Sequence, residues 1–152
     1  MRAYSPGDFE VLVGMYKSFE PKRVAQGLPP PDVPRIARWL DHLQNNSHAL
    51  LAFDGEKAIA QAILCPISKN HVEYTIFVLQ DYRGEGLGTV LSKLALDWAF
   101  AMGFTTAFLA TETSNFAAIG LFRKLGFLNK SSDGDECEMK LDLLADSKAR
   151  AA

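Results

Sequence analysis

Tyr82-Arg83-Gly84-Glu85-Gly86-Leu87-Gly88-Thr89 is the stretch that decides how this chain is read. It follows a β-type run, His71 to Leu79. It opens a segment in which Leu87, Val90, Leu91, Leu94, Ala95, Trp98 and Met102 recur at helical spacing until Gly103. Glycines at a strand-to-helix junction let main-chain N–H groups come close to a ligand, and the helix N-terminus adds partial positive charge. Such a turn suits a phosphate or pyrophosphate, with Arg83 able to pair with phosphate oxygens in forked geometry. A single glycine there reads equally well as a plain tight turn. Three alternating glycines after an arginine favour the ligand.

Three phosphate-cradling patterns compete for this turn. A P-loop requires Gly, four residues, then Gly-Lys-Ser/Thr, and no such string occurs. A dinucleotide fingerprint requires GxGxxG and an acid about 20 residues on. Here Thr89 stands where the third glycine belongs, Glu112 comes late as a ribose ligand, and Gln80-Asp81-Tyr82 extends the turn. The third pattern is the Arg-x-x-Gly-x-Gly loop that holds the pyrophosphate of coenzyme A.

Working outward, His48 to Phe53, Lys57 to Cys65 and His71 to Leu79 read as three antiparallel strands, the first two joined at Asp54-Gly55. Phe9, Leu12, Val13 and Tyr16 predict a helix over 7–19. Ile36, Trp39, Leu40 and Leu43 predict a second helix ending near Asn45-Asn46. Between them, Pro21 to Pro34 holds five of the seven prolines and reads as a loop long enough to carry function. Downstream, Thr105 to Thr111 is a strand. Ala118, Leu121, Phe122 and Leu125 mark a helix stopped by Gly126, and Phe127-Leu128 with Glu136 to Leu143 form a last strand pair. Antiparallel strands around one βαβ crossover predict an α+β (α/β) domain built on a mixed sheet.

With the turn in place, a second motif becomes legible. VLQDYRGEGLGTVL is followed, about 20 residues later, by TETSNFAAIGLFRKLGF. The pair resembles the GCN5-related N-acetyltransferases (GNAT). Arg83, Gly86 and Gly88 fill the key positions of the first motif, and Asn115, Ala118, Ile119, Leu121, Gly126 and Phe127 fall in register with the second. The resemblance implies a single GNAT domain over 1–144, a splayed cleft between the fourth and fifth strands, and a disordered tail over 145–152. It implies acetyl-CoA as co-substrate, no metal, and direct acetyl transfer to a primary amine of a small molecule or a protein lysine. Within the family the chain most resembles bacterial protein-lysine and small-molecule acetyltransferases.

Carried over residue by residue, the resemblance implies a bulged fourth strand on which Phe77, Val78 and Leu79 pair with the pantetheine arm. The N–H groups of Arg83, Gly84, Glu85, Gly86, Leu87, Gly88 and Thr89 would hold the pyrophosphate. Asn115 would contact the pantetheine, a role compatible with capping a helix. Glu73 is the candidate base, with Glu112 in reserve, and the Val78 N–H would donate to the developing oxyanion. The family's tyrosine acid falls at Phe122, which has no hydroxyl. Phe122 is therefore expected to pack on the sulfur end of the pantetheine, leaving water, Tyr74 or another group to protonate the thiolate. That departure motivates a rival reading, a non-catalytic acyl-CoA-binding or sensing module.

Composition bounds the rest. The 152 residues are 48% hydrophobic with a net charge of −2, enough for one core and without the basic surplus of a nucleic-acid binder. Cys65 and Cys137 lie too far apart for a zinc pattern and read as reduced thiols in a cytoplasmic protein. No apolar run approaches a membrane span, and the first residues lack a signal-peptide stretch. The three histidines show no ligand spacing. Trp39 and Trp98 are expected in the core. Asp133, Asp135, Glu136 and Glu138 form an acidic cluster that reads as a solvated turn or, more sharply, as an attractor for a cationic acceptor. The loop from Pro21 to Leu28 is expected to wall the acceptor side, and the family resemblance allows a homodimer.

Overall fold

In the computed structural model, which describes residues 1–21 and 29–145, seven strands form one sheet in the order β1-β2-β3-β4-β5-β7-β6. The strands are β1 (Arg2–Ala3), β2 (His48–Asp54), β3 (Lys57–Pro66), β4 (His71–Val78), β5 (Thr106–Glu112), β6 (Leu128–Asp133) and β7 (Glu136–Asp142). All neighbours are antiparallel except β4 and β5, which run parallel across the helical crossover between them. The helices are α1 (Phe9–Ser18), α2 (Val33–Asn46), α3 (Leu87–Ala101) and α4 (Phe116–Lys124).

The strand sequences explain the layering. In β3 the residues Ala58 to Leu64 are all buried, because helices cover both faces of the strand. Ala60, Ala62 and Leu64 face a core under α3 and α4, while Ile63 faces a second core under α1 and α2. Gln61 is the buried polar exception. Its side chain accepts a 2.5 Å hydrogen bond from the buried Tyr16 hydroxyl. β7 alternates instead: Cys137, Met139 and Leu141 enter the α3/α4 core, and Glu136, Glu138 and Lys140 point the other way.

Three expectations need adjustment. α2 starts at Val33, not Ile36, because the Asp32 side chain caps it by accepting from the Arg35 N–H, and Pro34 is tolerated in its first turn. On α3 the buried stripe is Leu91, Ser92, Ala95, Leu96 and Ala99, so Val90 and Leu94, expected in the core, are 51% and 46% exposed. The stripe rotates because the wholly buried Ser92 accepts the Tyr74 hydroxyl at 2.7 Å. Trp39 and Trp98 are half-buried and pack on the rims of the two cores. Residues 22–28 of the predicted acceptor loop, and 146–152 of the predicted tail, lie outside the described residues.

Candidate active site

The parallel pairing of β4 and β5 runs only from His71↔Thr106 through Val72↔Ala107 to Glu73↔Phe108. Beyond that point β4 stays with β3 as far as Val78, and β5 stays with β7 as far as Glu112. The two strands therefore part just after Glu73 and leave a gap with a main-chain edge on each side. The β3–β4 register is continuous from Pro66↔Val72 to Ala60↔Val78, so the strands part without the bulge expected in β4.

Hydrogen-bond alternation settles which β4 groups face the gap. The Leu79 N–H donates to the Ile59 carbonyl at 2.8 Å, so the main chain of Leu79 is turned to β3, and by alternation so is that of Phe77. Ile76 and Val78 face the gap. Of the three residues expected to pair with a pantetheine arm, Val78 is thus the one whose N–H is turned to the gap, its carbonyl being taken by Arg83 Nε, and Ile76, not singled out from sequence, faces the gap beside it. The Phe77 ring is buried under α1 and α2, edge-on to Tyr16, Phe19 and Trp39 at 5.6–5.7 Å.

The end of β4 leads through a single 3₁₀ turn, Gln80–Tyr82, into the glycine turn. The Tyr82 hydroxyl donates to Asp54 at 2.7 Å and pins this entry to the β2–β3 hairpin. Gly84 and Gly86 have φ of +79° and +85°, the left-handed region that side chains disfavour. Both glycines are needed to fold the chain back beneath the helix axis. Among the described residues the N–H groups of Gly84 to Thr89 have no main-chain partner, and those of Leu87, Gly88 and Thr89 form the first turn of the 15-residue α3. A cluster of free N–H donors at a positive helix end is an anion cradle. Gly88 has a second role: a Cβ there would lie 3.3 Å from Leu121 of α4 and 3.8 Å from Val78, so it lets α3, α4 and β4 converge.

Arg83 departs from the forked phosphate role. Its Nε donates to the Val78 carbonyl at 2.8 Å, its Nη2 donates to the Glu20 carbonyl, and its guanidinium lies 5.0 Å over the Phe19 ring. Partial burial lowers its pKa from the ordinary value. Asn115 caps α4, its side chain accepting from the Ala118 N–H at 3.3 Å. Phe122 is buried against Phe127, with ring centroids 5.8 Å apart, as part of the α3/α4 core.

Glu73 is exposed and sits at the vertex where the strands part. It shares a face with Thr75 and Phe77, opposite to Tyr74. Burial pushes the Cys65 thiol up, and the charge of Glu73, directly across the β3–β4 pair, adds to the effect. Tyr74 is no acid for the gap: its hydroxyl is buried, committed to Ser92, and pushed well above the usual phenol range by burial. At the far end of β5 a cavity of about 280 Å³ is lined by Thr111, Glu112, Asp133, Asp135 and Glu136. The fold thus adds Glu112 to the acidic cluster. It removes Glu138, which pairs with Lys130 at 3.3 Å.

The mixed sheet thus opens at its parallel pair over a turn lined with N–H donors. The chain belongs to the acetyltransferase (GNAT) family, whose sequence profile matches residues 12–127. It is 34% identical over 91 residues to spermidine N(1)-acetyltransferase of Escherichia coli K12, covering 57% of this chain and 47% of that protein. It is 43% identical over 56 residues to the L-methionine sulfoximine/L-methionine sulfone acetyltransferase of Pseudomonas aeruginosa, covering 37% and 33%. The matches thus span half or less of those relatives. The protein yncA of Salmonella typhimurium, solved with acetyl-CoA, superposes with a TM-score of 0.76 at 21% identity, over 93% of this chain and 92% of that one.

Proposed function

We propose that the protein transfers an acetyl group from acetyl-CoA directly to a primary amine. The observation that carries the reading is the opening of the sheet after Glu73↔Phe108, with the free N–H groups of residues 84–89 at its foot. These groups fit the ligand: an edge of main chain for an amide-bearing arm, then donors and a helix end for two phosphates. Bound acetyl-CoA supplies the activated acyl thioester.

The chain's own residues do the rest. An alkylammonium has a pKa of about 10.4, so a proton must leave before its nitrogen can attack. Glu73, at the vertex and open to solvent, takes that proton directly or through a water. The nitrogen bonds to the thioester carbonyl carbon, and the Val78 N–H donates to the oxygen on which charge builds. As the carbon–sulfur bond breaks, the sulfur keeps the electron pair. It gains the remaining nitrogen proton through water, since Phe122 has no hydroxyl and that of Tyr74 is buried. The products are an N-acetylated amine, coenzyme A and the proton left with Glu73.

The acidic cavity at the end of β5 supports a cationic acceptor, as does the similarity to a polyamine acetyltransferase. Asn115 is placed beside the arm in this reading, and the free thiols of Cys65 and Cys137 accord with a cytoplasmic setting. A thiol-release assay with polyamines, methionine sulfoximine, amino acids and lysine peptides tests the proposal. Turnover with at least one amine is expected. Binding of coenzyme A without turnover on any of them would favour the sensing module, for which the absent hydroxyl at Phe122 is the supporting observation. Neutralising Asp133, Asp135, Glu136 and Glu112 together should raise the KM of a cationic acceptor and remove its salt dependence.

A further inference from the structure

Two side chains beside the glycine turn are committed to the main chain that leaves α1. The Gln80 carboxamide donates from Nε2 to the Ser18 carbonyl at 2.7 Å and accepts the Glu20 N–H at Oε1 at 3.0 Å. Arg83 donates from Nη2 to the Glu20 carbonyl and stacks over Phe19, while its Nε holds the Val78 carbonyl at the rim of the gap. Residues 18–20 are thus gripped at both ends and in the middle by side chains from the turn. Gln80 thereby satisfies one of the carbonyls that α1 leaves without an intrahelical partner, while the contacts to Glu20 lie beyond the helix end, where Phe19 is already extended. Chain at such a position ordinarily turns its polar groups to water. The Phe19 ring packs edge-on against Phe77 at 5.6 Å, on the sheet face that also carries Glu73. The gripped segment therefore walls the face from which an amine must reach Glu73.

We propose that Gln80 and Arg83 are positioning residues that couple occupancy of the glycine turn to the geometry of the acceptor wall at Ser18–Glu20. The inference rests on the acetyl-CoA reading above. Phosphates settling on the N–H groups of residues 84–89 restrain the main chain of Arg83, and its guanidinium transmits that restraint to Glu20 and Phe19. Gln80 closes the same link one turn earlier. Coupling of this kind is reciprocal: an amine seated against the wall tightens the grip on the nucleotide by the same factor.

The test uses the full chain and coenzyme A alone, so it needs no knowledge of the acceptor. Binding is measured by calorimetry, and exchange of the Phe19 and Glu20 amides is followed by NMR with and without coenzyme A. In the natural sequence, saturating coenzyme A should slow exchange at Glu20 by about tenfold. Gln80→Met keeps the length of the side chain and removes both polar atoms. It should retain coenzyme A affinity within about twofold and lose the ligand-dependent slowing, a difference that a merely structural role would not produce. If Gln80→Met does not fold, Gln80→Glu carries the test, since it keeps the acceptor for Glu20 but sets an oxygen against the Ser18 carbonyl. Coenzyme A that binds without altering Glu20 exchange overturns the coupling and leaves the acetyl-CoA reading standing. So does slowing that survives in the variants. Absence of any binding heat overturns both.

Discussion

Gly86→Ala separates the backbone of the turn from everything around it. Gly86 has φ +85° and ψ −2°, and a Cβ built there meets nothing within 4 Å, so the substitution brings no clash. What it brings is left-handed strain, about 1–2 kcal/mol for an L-residue. The free protein can either hold the turn and bear the strain or relax it to negative φ. If it holds, the melting temperature falls by about 2–4 °C per kcal/mol for a chain of this size, and coenzyme A affinity is kept. If it relaxes, the melting temperature is kept, and the ligand must restore the turn, raising Kd about 5–30-fold. The two losses draw on the same strain, so together they amount to about 1–2 kcal/mol. Calorimetric melting and titration with coenzyme A on one preparation measure both. A variant with neither a lower melting temperature nor a weaker Kd refutes the argument that the left-handed turn shapes the N–H cradle. Gly86→Glu adds a carboxylate to the same site and is expected to abolish binding.

Other outcomes follow from particular residues. Glu73→Gln keeps the shape of the vertex and removes the base, so kcat should fall about 10²–10⁴-fold with coenzyme A affinity unchanged; an unchanged kcat removes Glu73 from the mechanism. The Arg2 guanidinium, 2.6 Å away, together with the Ser5 N–H, lowers the Asp8 carboxyl to about 2. A depressed folded-state pKa stabilises above the unfolded value near 3.8 and ceases to do so as pH falls through about 2. Asp8→Asn should therefore cost about 1–2 kcal/mol at pH 7, allowing for the solvent-exposed arginine, and progressively less below pH 4 in urea titrations. Gly14 is exposed within α1, and a Cβ there meets nothing within 4 Å. Gly14→Ala should raise stability by about 0.5–1 kcal/mol, read as a higher urea midpoint.

The elements of this fold are legible in the chain because each carries its own local signal. Asp54-Gly55 between two β-rich runs makes a hairpin wherever it is placed, and Gly103 and Gly126, with φ of +103° and +104°, end their helices where the periodic residues stop. The glycine turn is legible for the same reason: Gly84 and Gly86 are required by backbone sterics that act within a few residues. Other features depend on partners distant in sequence. Ser92 is a polar residue on a helix and becomes core only because Tyr74, 18 positions earlier, delivers a hydroxyl to it. Glu112 joins Asp133 and Asp135 only because β5 pairs with β7. Ile76 could not be told from Phe77 as a gap-facing residue until the Leu79–Ile59 hydrogen bond set the parity of the ladder.

The amino-acid sequence by itself determined the order of the elements from α1 onward, the position of the glycine turn and the family, since periodicity, turn chemistry and short motifs are properties of neighbouring residues. Only the tertiary structure decided where β4 and β5 part, which main-chain groups face the gap, and that Arg83 grips the carbonyls of Glu20 and Val78. Those outcomes depend on the register and packing of segments up to 63 residues apart, and no local preference encodes them.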